Sequence, residues 1–188
     1  MEFKEKNKTL IFCLCGKAGS GKSFASECLF ERYKKDNLDV IISPYTKYLK
    51  YFIEEITGVS IVESNKPRVL LQHLSSDLIK SKLGYRDFFV RRQLEDISLY
   101  KYFFDIIIIP DVRFPEEIKV LKDHFTDVIS IGVKRLNFDN GLTDEEKKDI
   151  TETSLDSFEE YDYVIYNNGD DTFKSDILSI VEKIKERG

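Results

Sequence analysis

Eight residues near the start of the chain, Gly16-Lys17-Ala18-Gly19-Ser20-Gly21-Lys22-Ser23, fit the spacing G-x-x-x-x-G-K-[ST] in full. The chemistry this spacing suits is the holding of a phosphate chain. Glycines let the backbone wrap tightly and turn its N–H groups inward. A helix beginning at the end of the loop adds partial positive charge. Lys22 is then placed to reach the β- and γ-phosphates of ATP, and Ser23 to bind Mg²⁺. The alternative is a glycine-rich turn without a ligand.

A second cluster is Asp111-Val112-Arg113-Phe114-Pro115, directly after the run Ile106-Ile107-Ile108-Ile109. Asp111 is placed to hold the hydration shell of Mg²⁺, and Arg113 to reach a phosphoryl group in transfer. Taken alone, the same residues also read as a strand-to-helix turn with an aspartate cap and a solvated arginine.

Between residues 44 and 104 lie Lys47, Lys50, Arg68, Arg86, Arg91 and Arg92, with Tyr45, Tyr48, Phe88 and Phe89 among them. Collectively they suggest an anionic acceptor, because guanidinium groups grip phosphates and aromatic rings stack bases. Residue by residue, a solvated helix face is the plainer reading. A phosphate monoester with a second pKa of about 6 is largely dianionic at neutral pH and needs no general base. The absence of a Ser-His-Asp or Cys-His set fits that chemistry.

The elements that must position these groups can be traced in order. Residues 8–14 read as a buried strand, and Phe24 to Lys35 as a helix. Residues 38–42 form a second strand. Helices follow at Tyr48 to Ile56, at Val69 to Leu78 and from Phe88 to Tyr102. The isoleucine run, bounded by Asp and Pro, suggests a central parallel strand covered on both faces. A helix started by Pro115 runs to His124, a strand spans 127–133, and the polar stretch 136–150 reads as loop or lid. Residues 161–166 form a fifth strand, Asn167-Asn168-Gly169 a turn, and Phe173 to Ile184 the last helix. The alternation predicts an α/β fold, a five-stranded parallel sheet flanked by helices. Together with the loop motif and the basic, aromatic segment, the expectation is one P-loop kinase domain over 1–188: a core of 1–43 and 105–188, an acceptor-binding helical insert at 44–104 and a lid at 136–152.

The bulk properties agree. The chain has 188 residues, a net charge of −5 and no apolar run long enough to span a bilayer. An acidic balance disfavours a nucleic-acid polymer as partner. The N-terminus lacks the pattern of a signal peptide. Three cysteines without a framework suggest a reducing, cytoplasmic setting, with Cys13 and Cys15 as packing residues.

The chain resembles the bacteriophage-type deoxynucleoside monophosphate kinases over most of its length. The resemblance rests on DVRFPEE at 111–117, LLQHLSSDLIKSKLGYRDFFVRR at 70–92, TKYLK at 46–50 and TETSLDSFEEYDYVIYNNGD at 151–170. Thr151 stands where the family pattern has serine. What the resemblance implies is a kinase that passes the γ-phosphate of ATP to a deoxynucleoside 5′-monophosphate, with Mg²⁺ held by Ser23 and Asp111. Gly16 to Ser23 would hold ATP, Arg135 would close over it, and Lys22, Arg113 and Asp111 would be catalytic. Asn167 and Asn168 would either meet the adenine or form a plain turn. Lys50, Arg68, Gln72, Phe89 and Arg91 would line the acceptor side, and Glu152 would order the return of the lid or cap a surface helix. The expected partners are these small molecules, with a homodimer left open. Competing readings are a P-loop kinase of another phosphate monoester, such as phosphomevalonate or dephospho-coenzyme A, and a non-catalytic ATP-binding regulator.

Overall fold

The computed structural model describes residues 6, 8–61, 67–136 and 138–186; within it the side chains of Arg68 and Glu145 are left undescribed. Five strands, β1 (Leu10–Cys15), β2 (Val40–Ile42), β3 (Ile106–Val112), β4 (Val128–Lys134) and β5 (Tyr163–Tyr166), form one sheet in the order β2-β3-β1-β4-β5. All four pairings are parallel. The expected five-stranded parallel α/β sheet is therefore present.

The four isoleucines explain how the sheet is covered. Their side chains alternate between faces, so Ile106 and Ile108 enter one core layer and Ile107 and Ile109 the other. The first layer is closed by α1 (Lys22–Lys35) and α8 (Thr172–Lys185), through Leu29, Tyr33, Phe173, Ile177 and Val181. The second is closed by α5 (Pro115–His124) and by three helices of the β2–β3 connection. Those are α2 (Lys47–Thr57), α3 (Arg68–Gln72) and α4 (Phe88–Tyr100), which contribute Leu49, Ile53, Leu71, Phe89 and Ile97. Cys13 and Cys15 are fully buried in this layer, as expected of packing residues.

Two departures from the sequence expectation concern winding. The helix predicted across Val69 to Leu78 begins as α3 but continues as a wider π-helical segment, His73–Lys82, pinned to the core by Ile79. The polar stretch after β4 is not wholly loop, for it contains two single-turn helices, α6 (Asp144–Lys147) and α7 (Ile150–Thr153). The second of these starts at a cap, Asp149, whose Oδ1 accepts from the Thr151 N–H at 2.8 Å.

One irregularity matters for the site. Cys13 faces Ile109 and Cys15 faces Val112, so two steps along β1 match three along β3. The extra residue falls at Pro110-Asp111, where proline has no N–H to continue the ladder. Such a bulge bends the strand and re-aims its side chains. Asp111 leaves the sheet there, next to the phosphate-type loop.

Because Ile107 is fully buried and paired between Ile11 and Ile41, truncation leaves a cavity in the central layer. Ile107→Ala is expected to lower stability by about 2–5 kcal/mol in urea denaturation.

A phosphate-type loop and its cavity

The loop between β1 and α1 is shaped by close approach. Gly16 has φ 146°, and a Cβ there would stand 2.4 Å from the Val133 carbonyl oxygen. Gly21 has φ 108°, and its Cβ would meet the Asn167 amide nitrogen at 2.5 Å. Only glycine fits both places. Asn167 is buried and structural in its contacts: Nδ2 donates to Ser20 O at 3.0 Å, and Oδ1 accepts from Gly169 N at 2.9 Å. Asn168 beside it is exposed.

Lys22 folds back under the loop, its Nζ donating to Gly16 O at 2.6 Å and to Lys17 O at 2.7 Å. An ammonium has three donors, so one remains. Burial, joined by the Arg113 charge, pulls its pKa from 10.5 down to about 7, against the opposing pull of Glu152 and Asp111. Ser20 Oγ is buried without a hydrogen-bond partner. An orphaned hydroxyl inside a loop whose glycines leave room for close approach fits a phosphate-bearing ligand.

Arg113 arrives from the β3–α5 turn. Its Nη1 donates to Gly16 O at 3.2 Å and to Glu152 Oε1 at 2.8 Å. The turn is held from below by Glu117, which accepts from the N–H groups of Arg113 at 2.8 Å and Phe114 at 3.1 Å. Glu117 is buried, and that burial raises its pKa from 4.5 to about 7 despite the two backbone donors. Sequence reasoning missed this residue. Its signal was a glutamate at the third helical position after a proline-started turn, which is where a side chain reaches back to the helix start.

Asp111 lines the cavity, but its carboxylate already accepts from Tyr45 N at 2.8 Å, Thr46 N at 3.0 Å and Thr46 Oγ1 at 2.8 Å. One of its four acceptor positions is left. Among the described residues no group of three or more metal-ligating side chains gathers. The exposed Ser23 hydroxyl and Asp111 nonetheless border the same space, which suits an ion held largely through water and phosphates.

That space is a cavity of about 470 Å³. Its floor is Ala18 to Ser23, and its walls come from Thr46, Leu49, Leu71, Gln72 and Ser75, from Asp111 and Arg113, and from Leu142, Glu146, Asp149, Thr151 and Glu152 across the top. The segment after β4 lies against the loop. Arg135 Nη1 approaches Gly19 O at 3.4 Å and its guanidinium covers the Phe138 ring at 3.7 Å. Asn140 Nδ2 approaches Ala18 O at 3.4 Å. Gln72 Nε2 donates to Asp149 Oδ2 at 2.5 Å, joining α3 to this segment.

The sequence-predicted acceptor residues divide. Gln72 faces the cavity, whereas Lys50, Phe89 and Arg91 are not among its walls. Phe89 is a core residue packed edge-on against Phe88 at 5.1 Å, and Arg91 is exposed on α4. The Arg68 side chain lies outside the described part. Lys47 is paired with Asp96 at 2.5 Å, and Arg92 lies over the Tyr48 and Phe88 rings. Among the described lining residues, the cations at the cavity are therefore Lys22 and Arg113.

No protein-family model matches the chain, and no curated protein matches it either. Solved structures do. The APS kinase CysC of Mycobacterium tuberculosis, in complex with AMPPNP and APS, is similar at 10% identity and a TM-score of 0.57, over 96% of this chain and 99% of that one. An unliganded sugar kinase from Janibacter sp. is similar at 10% identity and a TM-score of 0.53, over 92% of each chain. At such identities the likeness is one of fold. This chain has the P-loop kinase fold, five parallel strands flanked by helices.

The two shifted groups give a pH signature. Glu117, raised from 4.5 to about 7, favours the folded state below 4.5 and loses that contribution as pH rises to about 7. Lys22, lowered from 10.5 to about 7, contributes above 10.5 and loses that contribution as pH falls to about 7. Together they place a stability minimum near neutrality. Urea unfolding at pH 5.5, 7 and 8.5 is expected to show it, and Glu117→Gln to flatten the acidic arm by on the order of 1 kcal/mol.

Proposed function

We propose that this protein is a phosphotransferase that passes the γ-phosphoryl group of ATP to a deoxynucleoside 5′-monophosphate. The observation that carries the reading is the convergence of Lys22 and Arg113 on the hollow of the Gly16–Ser23 loop, at the floor of a cavity walled by the β2–β3 helices. The donor chain would lie along the loop, with its γ-phosphate at the Lys22–Arg113 end. The acceptor would enter from the side of Thr46, Leu71, Gln72 and Ser75. The mycobacterial APS kinase, which shares this fold, was solved in complex with AMPPNP and APS. The choice of a deoxynucleoside monophosphate rests on the sequence resemblance, above all DVRFPEE at 111–117 and the Asn167-Asn168-Gly169 ending.

In this reading an oxygen of the acceptor's phosphate bonds to the γ-phosphorus, the bond to the β-bridging oxygen breaks, and ADP leaves with that electron pair. No proton need be removed first, which suits a cavity whose described lining holds neither histidine nor cysteine. The work of the site is to suppress repulsion between two anions and hold them in line. Mg²⁺, with Ser23 and Asp111 as its nearest candidates, would neutralise phosphate charge. Residues 44–104 serve as the acceptor-binding insert and 136–152 as the lid.

Release of ADP from ATP across a panel of deoxynucleoside monophosphates, with phosphomevalonate and dephospho-coenzyme A alongside, tests the acceptor. Turnover with at least one deoxynucleotide and none with the other two is expected. Turnover only with the latter moves the acceptor class, and ATP binding without any acceptor-dependent turnover makes the protein a regulator. Arg113→Ala and Lys22→Ala are each expected to lower turnover by about 10²- to 10⁴-fold with the fold retained by circular dichroism.

A further inference from the structure

Glu152 stands where an anion belongs. It comes from α7 of the lid, it is 9% exposed, and its two oxygens do two jobs. Oε2 accepts the Ala18 N–H of the loop at 2.8 Å, and Oε1 accepts Arg113 Nη1 at 2.8 Å. An inward backbone N–H and a guanidinium are the donors that a transferred phosphoryl group would use. The place within the loop is also specific. The N–H groups toward the helix start cradle the α- and β-phosphates, and the lysine reaches the β- and γ-phosphates. Ala18 lies at the end of the loop away from the helix, and the Lys17–Ala18 peptide gives its carbonyl to the Lys22 ammonium and its N–H to Glu152, whose other oxygen holds Arg113, so the carboxylate sits with the two cations at the γ end of the chain rather than at its root.

We propose that Glu152 is a specificity determinant that competes with the terminal phosphate of the donor. A triphosphate must evict the carboxylate from Ala18 and Arg113 in order to seat its γ-phosphate. A diphosphate ends at the β-phosphate and leaves the carboxylate in place. Glu152 therefore narrows the preference for ATP over ADP, and Arg113 is released to the reaction only when a full triphosphate has arrived. The geometry around the pair supports exchange over permanence. Asp149 caps α7 and takes the Gln72 amide, contacts at the start of the helix that do not involve Glu152. Lys17, the neighbour of Ala18, is paired with Asp156 three residues past the helix, a half-exposed contact at 2.6 Å that does not depend on Glu152.

The proposal rests on the phosphotransferase reading, and calorimetric titration of the full chain separates the two. AMPPNP and ADP, each with Mg²⁺, are titrated into the wild type, Glu152→Gln and Glu152→Asp. Glu152→Gln keeps the shape and removes the charge, so AMPPNP is expected to bind about tenfold more tightly while ADP changes by less than about threefold. Glu152→Asp withdraws the carboxylate by one methylene and is expected to fall between, which keeps the test open if the glutamine variant does not fold. Unchanged or weaker AMPPNP binding in both variants overturns the proposal. So does a fall in kcat at unchanged AMPPNP affinity, the mark of a residue that only braces Arg113. Failure of the wild type and both variants to bind either nucleotide overturns the phosphotransferase reading, and this proposal with it.

Discussion

A positive charge buried under a backbone loop is the constraint around which the rest of the structure is arranged. Removing an ammonium from water is costly, and a protein normally answers by pairing the charge or by letting it neutralise. Lys22 is answered in both ways. Two carbonyl oxygens take two of its donors, and its pKa falls to about 7. Arg113 brings a second cation to the same carbonyl of Gly16, which deepens the problem, and the Glu152 carboxylate relieves it. The segment after β4 is held onto the loop through this electrostatic demand. In that sense the loop is built to want an anion, and the chain supplies one of its own.

The sheet sets these charges at the right places. β1 ends in the loop, and its neighbour β3 ends in the turn that bears Arg113. The bulge at Pro110 and Asp111 decouples the two tasks of β3. Upstream of it the isoleucines build two core layers. Downstream, Asp111 can lean toward the β2–α2 turn and take three of its donors. Asp111 therefore fixes where the β2–β3 helices leave the sheet, and with them one wall of the cavity.

Much of this was legible in the residues. Isoleucines flanked by turn formers marked a strand covered on both faces, and the loop spacing marked both its shape and its position before a helix. The charges of the β2–β3 segment were less legible. Lys47 and Arg92 counted toward a collectively basic segment, yet Lys47 answers Asp96 and Arg92 answers Glu95 and two rings. Sequence gives charge but not the partner brought beside it by folding. Phe89 went the same way, because an aromatic residue at helical spacing is core or pocket depending on which face the helix presents. Glu117 and Glu152 were under-read for the opposite reason. Each acts on backbone N–H groups: the Glu117 signal was local and was passed over, while no spacing rule announces a long-range partner of Glu152 such as Ala18.

The amide of Gln72 spans the mouth of the cavity to Asp149, and this exposed contact is the weak latch between two otherwise separate parts of the rim. A hydrogen bond of that kind has a net worth of about 1 kcal/mol, little more than thermal energy. This side of the rim is therefore held only lightly by the protein itself. Firmer closure there would have to come from whatever occupies the space beneath.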